Sequence, residues 1–330
     1  MVYALRMIFD AITEKKKRLD RYRPLPPDLV KNLEDWYRVE LTYTSNAIEG
    51  NTLTRRETAL VLEKGLTVGG KSLREHLEAA NHAQAIDWVR DQVRRTPADL
   101  GERDMLAIHS LILKGIDDIN AGRYRNIAVR IAGSTVVLPN PMKVPDLMAD
   151  FAAWLAGAND LHPVALAAEA HYRLVTIHPF VDGNGRTARL LMNLLLMMAG
   201  YPPAIIQKRE RLAYIGALEK AQTGGSKSGY ESLIYRAVDR SLEMYLKAVE
   251  GETLLPSDGG ALLKIGALAA RAGVANSTIR HWTKLGLLEV AEVAESGYQL
   301  YAPEMIERIE RIRALQEQRY TLDEIKAMLE

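Results

Sequence analysis

The chain has 330 residues, of which 48 % are apolar and 26 % charged, with a formal net charge of +1. That length allows roughly two domains with substantial cores, and the charge balance excludes a global field drawing the chain to nucleic acid or membrane. The absence of cysteine excludes disulfides and thiolate metal sites.

Met1 to Asp10 lacks a charged segment followed by a long apolar core, and the most apolar stretch, Leu190 to Ala199, is too short to span a bilayer. A soluble, cytoplasmic protein with no membrane partner is expected. Residues 1–35 repeat apolar positions at helical spacing on either side of Arg23-Pro24-Leu25-Pro26-Pro27. This predicts a helix, a turn, and a second helix from about Asp28 past Trp36. The second helix leads into Thr44-Ser45-Asn46-Ala47-Ile48-Glu49-Gly50-Asn51, with Gly50-Asn51 as its stop. Ser45 and Glu49 lie four apart and share a face. Thr54 is placed to cap a helix over 55–64. Further helices are expected over 72–94, with Leu73, Leu77, Ala80, Ala85 and Val89 as a buried stripe, and over 102–113. His76, His82 and His109 show no ligand spacing and read as structural or exposed. Residues 129–138 are the one strand-like part of the first 250, two β-branched runs around Gly133-Ser134 that predict a hairpin. Apolar helices over 144–156 and 163–177 follow, the second carrying Glu169 and His171. His171 reads as a satisfied core residue.

Residues 177–191 read Ile-His-Pro-Phe-Val-Asp-Gly-Asn-Gly-Arg-Thr-Ala-Arg-Leu-Leu. Gly183 and Gly185 can take positive φ without steric cost, so the backbone can curl its N–H groups inward. Arg186 to Ala199 has no breaker, is rich in Leu, Met and Ala, and stops at Gly200. A helix there sets its unpaired N–H groups and positive dipole end on the glycine loop, where an anion is the natural occupant. Arg186 and Arg189 add two guanidinium groups, and Asp182 adds a hard oxygen ligand of the kind Mg²⁺ on phosphates requires. His178, just outside the loop, can accept a proton near neutral pH. Together these residues read as a nucleotide–Mg²⁺ site with a base beside it. A calcium loop starting at Asp182 would need an acid at its twelfth position, where Asn193 stands, and no Walker A loop occurs.

The string as a whole resembles the His-x-Phe-x-Asp/Glu-Gly-Asn-Gly-Arg-x-x-Arg signature of Fic-domain proteins and matches every defined position. Ser45-x-x-x-Glu49-Gly50 resembles the inhibitory motif that precedes the core in the class II type of that family. The resemblance implies a helical bundle with a β-hairpin flap, and an adenylyltransferase that uses ATP and Mg²⁺ as cofactors. In it His178 is the catalytic base and Asp182 the metal ligand. Gly183, Asn184, Gly185, Arg186 and Arg189 bind the phosphates, and Phe180 anchors the loop. Glu49, paired with Arg189 and supported by Ser45, is regulatory. The 129–138 hairpin becomes the flap along which a target protein presents its hydroxyl. Tyr214 and Gln222 match in place the aromatic and the amide that hold adenine, although the usual amide is Asn.

Beyond Gly200-Tyr201-Pro202-Pro203, helices are expected over 214–222 and 230–249, then a linker at 251–260 by composition. From Leu263 a helix, a tight corner at Gly273, a second helix capped by Asn276 or Ser277, a short wing over 296–301, and helices over 304–318 and 322–329 are read. This resembles the winged-helix domain of MerR-type regulators over essentially 261–330. Two departures stand out. Gln299 replaces the usual arginine after Gly-Tyr, and the unit holds nine Lys and Arg against ten Asp and Glu. Phosphate neutralisation supplies most non-specific DNA affinity, so a neutral-to-acidic module starts with little. Arg280 and Lys284 remain on the recognition helix.

The expected fold class is mainly α, a Fic-type helical bundle with a small C-terminal winged helix-turn-helix. Its divisions are 1–95 (helical region with the inhibitory helix), 96–250 (catalytic core), 251–260 (linker) and 261–330. The expected activity is transfer of AMP from ATP to a Ser, Thr or Tyr hydroxyl of a target protein or of the chain itself, releasing pyrophosphate. Removal of AMP at the same site, transfer of another phosphate-linked group, and a nucleotide-sensing transcription regulator stay open. The partners are ATP, a target hydroxyl, DNA as a candidate for 261–330, and a second copy of the chain as a candidate homodimer.

Overall fold

A computed structural model of the chain describes residues 2–158, 160–251, 263–293, 298–302, 305–317 and 320–329. It divides into two compact units, Met1–Glu252 and Thr253–Glu330, each with its own apolar core.

The first unit is helical: α1 Val2–Asp20, α2 Pro27–Ile48, α3 Arg55–Lys64, α4 Leu73–Gln92, α5 Glu102–Leu113, α6 Val144–Gly157, α7 Pro163–Ile177, α8 Asn184–Met198, α9 Arg211–Gln222 and α10 Ser228–Val249. Two of these starts are fixed by reciprocal caps. Thr54 accepts from the Glu57 N–H while Glu57 reaches back, and Ser72 and Glu75 do the same for α4. At the centre stands α8, buried on every side from Arg186 to Leu196. A helix apolar over so much of its surface is stable only when enclosed, and α7 lies along it, burying Leu174 and Val175. Ile86 and Val89 before residue 95, and Met105 and Ile108 after it, belong to the same core. The stripe expected on α4 needs correction at its start. Leu73 is 72 % exposed, and the burial is carried by Ala79, Ala83, Ala85, Ile86 and Val89. The Ser72 cap places Leu73 in the first turn, before the helix reaches the core.

No strand pairing forms over 129–138, contrary to the hairpin that the β-branched runs suggest. The segment turns between Ile131 and Ser134 (N–H to O 3.1 Å) with Gly133 at φ +75°. A lone two-stranded hairpin is marginal in water, and this one is held by side chains from outside it.

In the second unit β1 Leu263–Lys264 precedes α11 Ile265–Ala272 and α12 Asn276–Lys284. Then come β2 Glu292–Val293, β3 Gln299–Tyr301, α13 Met305–Glu317 and α14 Leu322–Leu329. The sheet order is β1-β3-β2, antiparallel, with Leu263 opposite Tyr301 and Glu292 opposite Leu300. Gly273 makes the expected corner at φ +63°. Ala275, rather than Asn276 or Ser277, is the N-cap of α12, with no side-chain cap. Leu268, Ile279, Trp282, Tyr301, Ile309 and Ile325 close the core. Of the expected linker only Gly251 falls within the described residues, and Ser296 and Gly297 of the expected wing lie outside them.

Candidate active site

The loop between α7 and α8 begins with a bend. His178 ends α7 at φ +51°, the one non-glycine residue with positive φ among the described residues. Such a backbone costs about 1–3 kcal/mol and persists only where its surroundings over-determine it. Buried Arg125 does this. Its N–H donates to Pro179 O at 2.8 Å and its Nε to His178 O at 2.8 Å. Its Nη1 and Nη2 hold Ile127 O (3.1 Å) and Pro139 O (2.7 Å), the two roots of the 129–138 segment. The Nδ1–H of His178 points to Val175 O at 3.4 Å, which leaves Nε2 with its lone pair. Burial, with Arg125 adding to it, lowers the imidazole pKa against the opposing pull of the Val175 carbonyl, Glu49 and Asp182. The ring is therefore neutral near pH 7, the form a general base needs.

Phe180 anchors the loop as expected, fully buried with its ring stacked on His109 at 3.7 Å. His109 accepts the Gly122 N–H on Nδ1 (3.0 Å) and donates from Nε2 to Asp182 O (3.0 Å). Gly183 sits at φ +79°, and a Cβ there would meet the His109 ring at 3.2 Å. The Asn184 side chain turns back onto the loop. Its amide accepts the Phe180 N–H and donates to Phe180 O, both at 2.9 Å, with the residue 3 % exposed. The side chain closes the loop instead of reaching toward a phosphate. What remains for an anion is the N–H array of the first turn of α8.

Asp182 and the two arginines are arranged around that array. The Asp182 carboxylate takes the Gly183 N–H (2.6 Å), Arg74 Nη2 (2.9 Å) and, more distantly, Arg186 Nη2 (3.4 Å). Burial opposes its charge, but Arg186, the Gly183 N–H and Arg74 outweigh it and the pKa is lowered. Arg186 is 2 % exposed, with Nη1 3.4 Å from Glu78, while its Nε and Nη1 lack a hydrogen-bond acceptor. Buried orphan donors fit an oxygen-rich anion. Arg189 is fully engaged. Its Nε donates to Ser45 Oγ (2.9 Å), and its Nη2 donates to Ser45 O (3.0 Å) and Glu49 Oε1 (2.6 Å). The same Glu49 oxygen lies against the Cα of Gly185, where any Cβ would collide with it. The sequence motifs at 45–49 and 182–189 thus meet, with the Glu49 carboxylate on Arg189 and against Gly185 in the first turn of α8. A negative group at a helix N-terminus is favoured by the dipole.

Tyr214 also turns inward. It is 2 % exposed, with its hydroxyl 2.8 Å from His171 Nε2 and in contact with Arg189. Tyr230 donates to Ala168 O (2.9 Å) and so accepts from His171 Nδ1 (2.8 Å). His171 Nε2 therefore accepts from Tyr214, whose oxygen is left for Arg189. Tyr214 braces Arg189 through its hydroxyl, and Ile215 beside it is half-buried. Gln222 donates to Val175 O (3.3 Å) and Thr176 Oγ1 (3.2 Å) at the root of the loop.

Four further residues of the site carry no signature in one sequence. Arg125 follows a glycine-aromatic turn, His109 and Arg74 lie on separate helices, and Arg211 Nε caps the end of α2 at Ile48 O (2.6 Å). Only the tertiary fold brings them in. No cluster of three or more His, Asp or Glu is gathered for a metal among the described residues. The half-exposed, ionised Asp182 carboxylate is nevertheless what Mg²⁺ needs, because that ion takes one or two carboxylates with substrate phosphates and waters. No helix among the described residues is long and apolar enough to cross a membrane.

Fold and site define a helical protein whose glycine loop, leading into a central helix, is closed by a preceding helix, with a neutral histidine beside it. Residues 99–196 match the model of the Fic/DOC family, and residues 263–330 that of the MerR HTH family regulatory proteins. The protein adenylyltransferase Fic of Culex quinquefasciatus is 37 % identical over 242 residues, 73 % of this chain and 48 % of that protein. The chain spans about half the length of the curated relatives it matches. The structure of Fic-1 from C. elegans is 30 % identical with a TM-score of 0.68, covering 76 % of this chain and 74 % of that one. A Fic family protein from Desulfovibrio desulfuricans G20 is 25 % identical with a TM-score of 0.60, over 89 % of this chain and 95 % of that one. The chain belongs to the Fic/DOC family, and its C-terminal unit carries a MerR-type helix-turn-helix.

Proposed function

We propose that the first unit transfers AMP from ATP to a protein hydroxyl and that Glu49 holds it in a slow resting state. The observation that carries the reading is the Glu49 carboxylate seated on Arg189 and over Gly185, in the place a nucleotide phosphate would take. With Glu49 withdrawn, Arg189 and the first-turn N–H groups of α8 are free to hold the β and γ phosphates, with Arg186 beside them. Asp182 would hold Mg²⁺, which would neutralise phosphate charge there. The incoming hydroxyl oxygen bonds to the α-phosphorus as the bond to the bridging oxygen of pyrophosphate breaks, and His178 Nε2 takes the hydroxyl proton. The products are the AMP ester and pyrophosphate. Wild type and Glu49→Gly, each given Mg²⁺ and ATP labelled at either the α or the γ phosphate, test this. Incorporation from α alone, stronger in the variant, is expected, and incorporation from γ would make the protein a kinase.

A second reading of the same site is removal of AMP from a modified target. It is favoured by the 36 % exposure of the Glu49 side chain, which leaves an oxygen able to hold a water at the cradle. Wild type that releases no AMP from a modified target, whichever divalent ion is supplied, would sink it.

For the second unit we propose DNA as the ligand, supported by the family match and by Arg280 and Lys284 on α12, with Lys264 just before α11. Its net charge of −1 over 261–330 predicts weak binding with a shallow salt dependence, because few phosphates are neutralised. A gel shift at physiological salt with random and upstream DNA checks this. No shift at micromolar protein would leave the unit a protein-contact module.

A further inference from the structure

We propose that Glu219 is the positioning residue for the 129–138 flap, its one oxygen Oε1 fixing the flap tip over α9 and so the register in which a target segment meets His178. Ser134 Oγ (2.8 Å), the Thr135 N–H (2.8 Å) and Thr135 Oγ1 (3.2 Å) all converge on that oxygen. The flap has no ladder of its own among the described residues, so its position is imposed from outside. Arg125 holds both roots, and Glu219 holds the tip. Between these clamps the chain leaves Val137 94 % exposed while Val136 and Leu138 are half-buried, so the alternation of a strand is present without a partner. An extended target segment is the partner such an edge takes, through main-chain hydrogen bonds that read position before sequence.

The placement of Glu219 on its helix gives the latch its consequence. Gln222, three residues on and on the same face of α9, donates to Val175 O and Thr176 Oγ1, immediately before the bend at His178. One rigid helix therefore touches the flap tip and the root of the base loop, and the distance from target backbone to His178 is set by α9. Hydrogen bonds from the Thr135 N–H and the Ser134 hydroxyl hold the Glu219 carboxyl ionised, against slight desolvation, and bonds to a charged acceptor are the stronger kind. The geometry stands by itself, while its consequence for a target rests on the transfer reading above.

The test uses the full chain with Glu49→Gly, alone and combined with Glu219→Ala or Glu219→Gln. Amide hydrogen exchange over 133–138 reads the latch. Transfer of α-label from ATP to a pool of Ser-, Thr- and Tyr-centred peptides reads its consequence. Glu219→Ala should speed exchange of the Thr135 amide by about tenfold and raise KM for the peptide pool by about tenfold, with KM for ATP within about twofold. Glu219→Gln, which keeps an acceptor, should restore part of both. Unchanged exchange at Thr135 would overturn the latch, and an equal rise in both KM values would overturn the positioning role. If Glu49→Gly alone moves no label, the transfer reading fails while the exchange measurement still decides the latch.

Discussion

At the scale of single residues, the site works by making side chains unavailable for anything else. His178 is bent into a left-handed backbone and held there by Arg125, and its ring is kept neutral by burial. We expect His178→Ala to lower α-label transfer in the Glu49→Gly background by at least about a hundredfold while ATP still binds; retained transfer would mean another base. The sign of the pKa shift also sets a pH profile. The base form persists below the ordinary imidazole value of about 6.5, so the acid limb of the rate should fall below that pH. A limb at or above it would contradict the assignment. His171, Tyr214 and Tyr230 show the same logic in the core, where a one-way run of hydrogen bonds starts at Arg189 and ends on Ala168 O.

At the scale of elements, α9 ties the parts together. Arg211 caps the end of α2, Tyr214 braces Arg189, Glu219 takes the flap tip and Gln222 the root of the base loop. The Glu49–Arg189 contact is thereby held from two sides, since Asn46 and Asn51 also bind the α4 residue Glu78, through its carbonyl and its carboxylate respectively. Loosening one of these ties should release Glu49 partway. Arg211→Ala removes a charged donor from Ile48 O, the carbonyl just before Glu49. Basal α-label incorporation should rise about three- to tenfold, short of Glu49→Gly. Incorporation at or below the wild-type level would show that the α2 end is held without it.

At the scale of the whole molecule, enclosing α8 carries a cost that appears in acid. His82, His109 and His171 are buried, and burial first of all depresses their pKa values, to about 3, about 4 and about 3. The unfolded chain takes up those protons near an ordinary value of about 6.5, and the folded chain does not. The unfolded state therefore binds more protons as pH falls below that value, and stability must decline with it. Denaturant titrations of the full chain at pH 7.5, 6 and 5 should show the first unit losing stability step by step. A flat or rising profile would mean that these histidines are charged in the fold.

By itself the sequence determined the helices, most of their ends, the corner at Gly273 and the two motifs that make the site, because caps, breakers and apolar spacing act within a few residues. It also named Ser45, Glu49, Asp182 and Arg189 as one constellation, through the resemblance those motifs carry. What it could not determine was which way a side chain turns once its helix is enclosed. Asn184 closes its own loop and Tyr214 faces inward, although both occupy matching positions, because burial leaves a polar atom no option but its nearest partner. The 129–138 runs have strand composition but no ladder, since pairing needs a partner that local sequence does not supply. Arg125, His109, Arg211 and Glu219 acquire their roles from contacts 13 to 163 residues away along the chain. Tertiary packing, of α5 against the central α8 and of α9 against α10, decides those contacts.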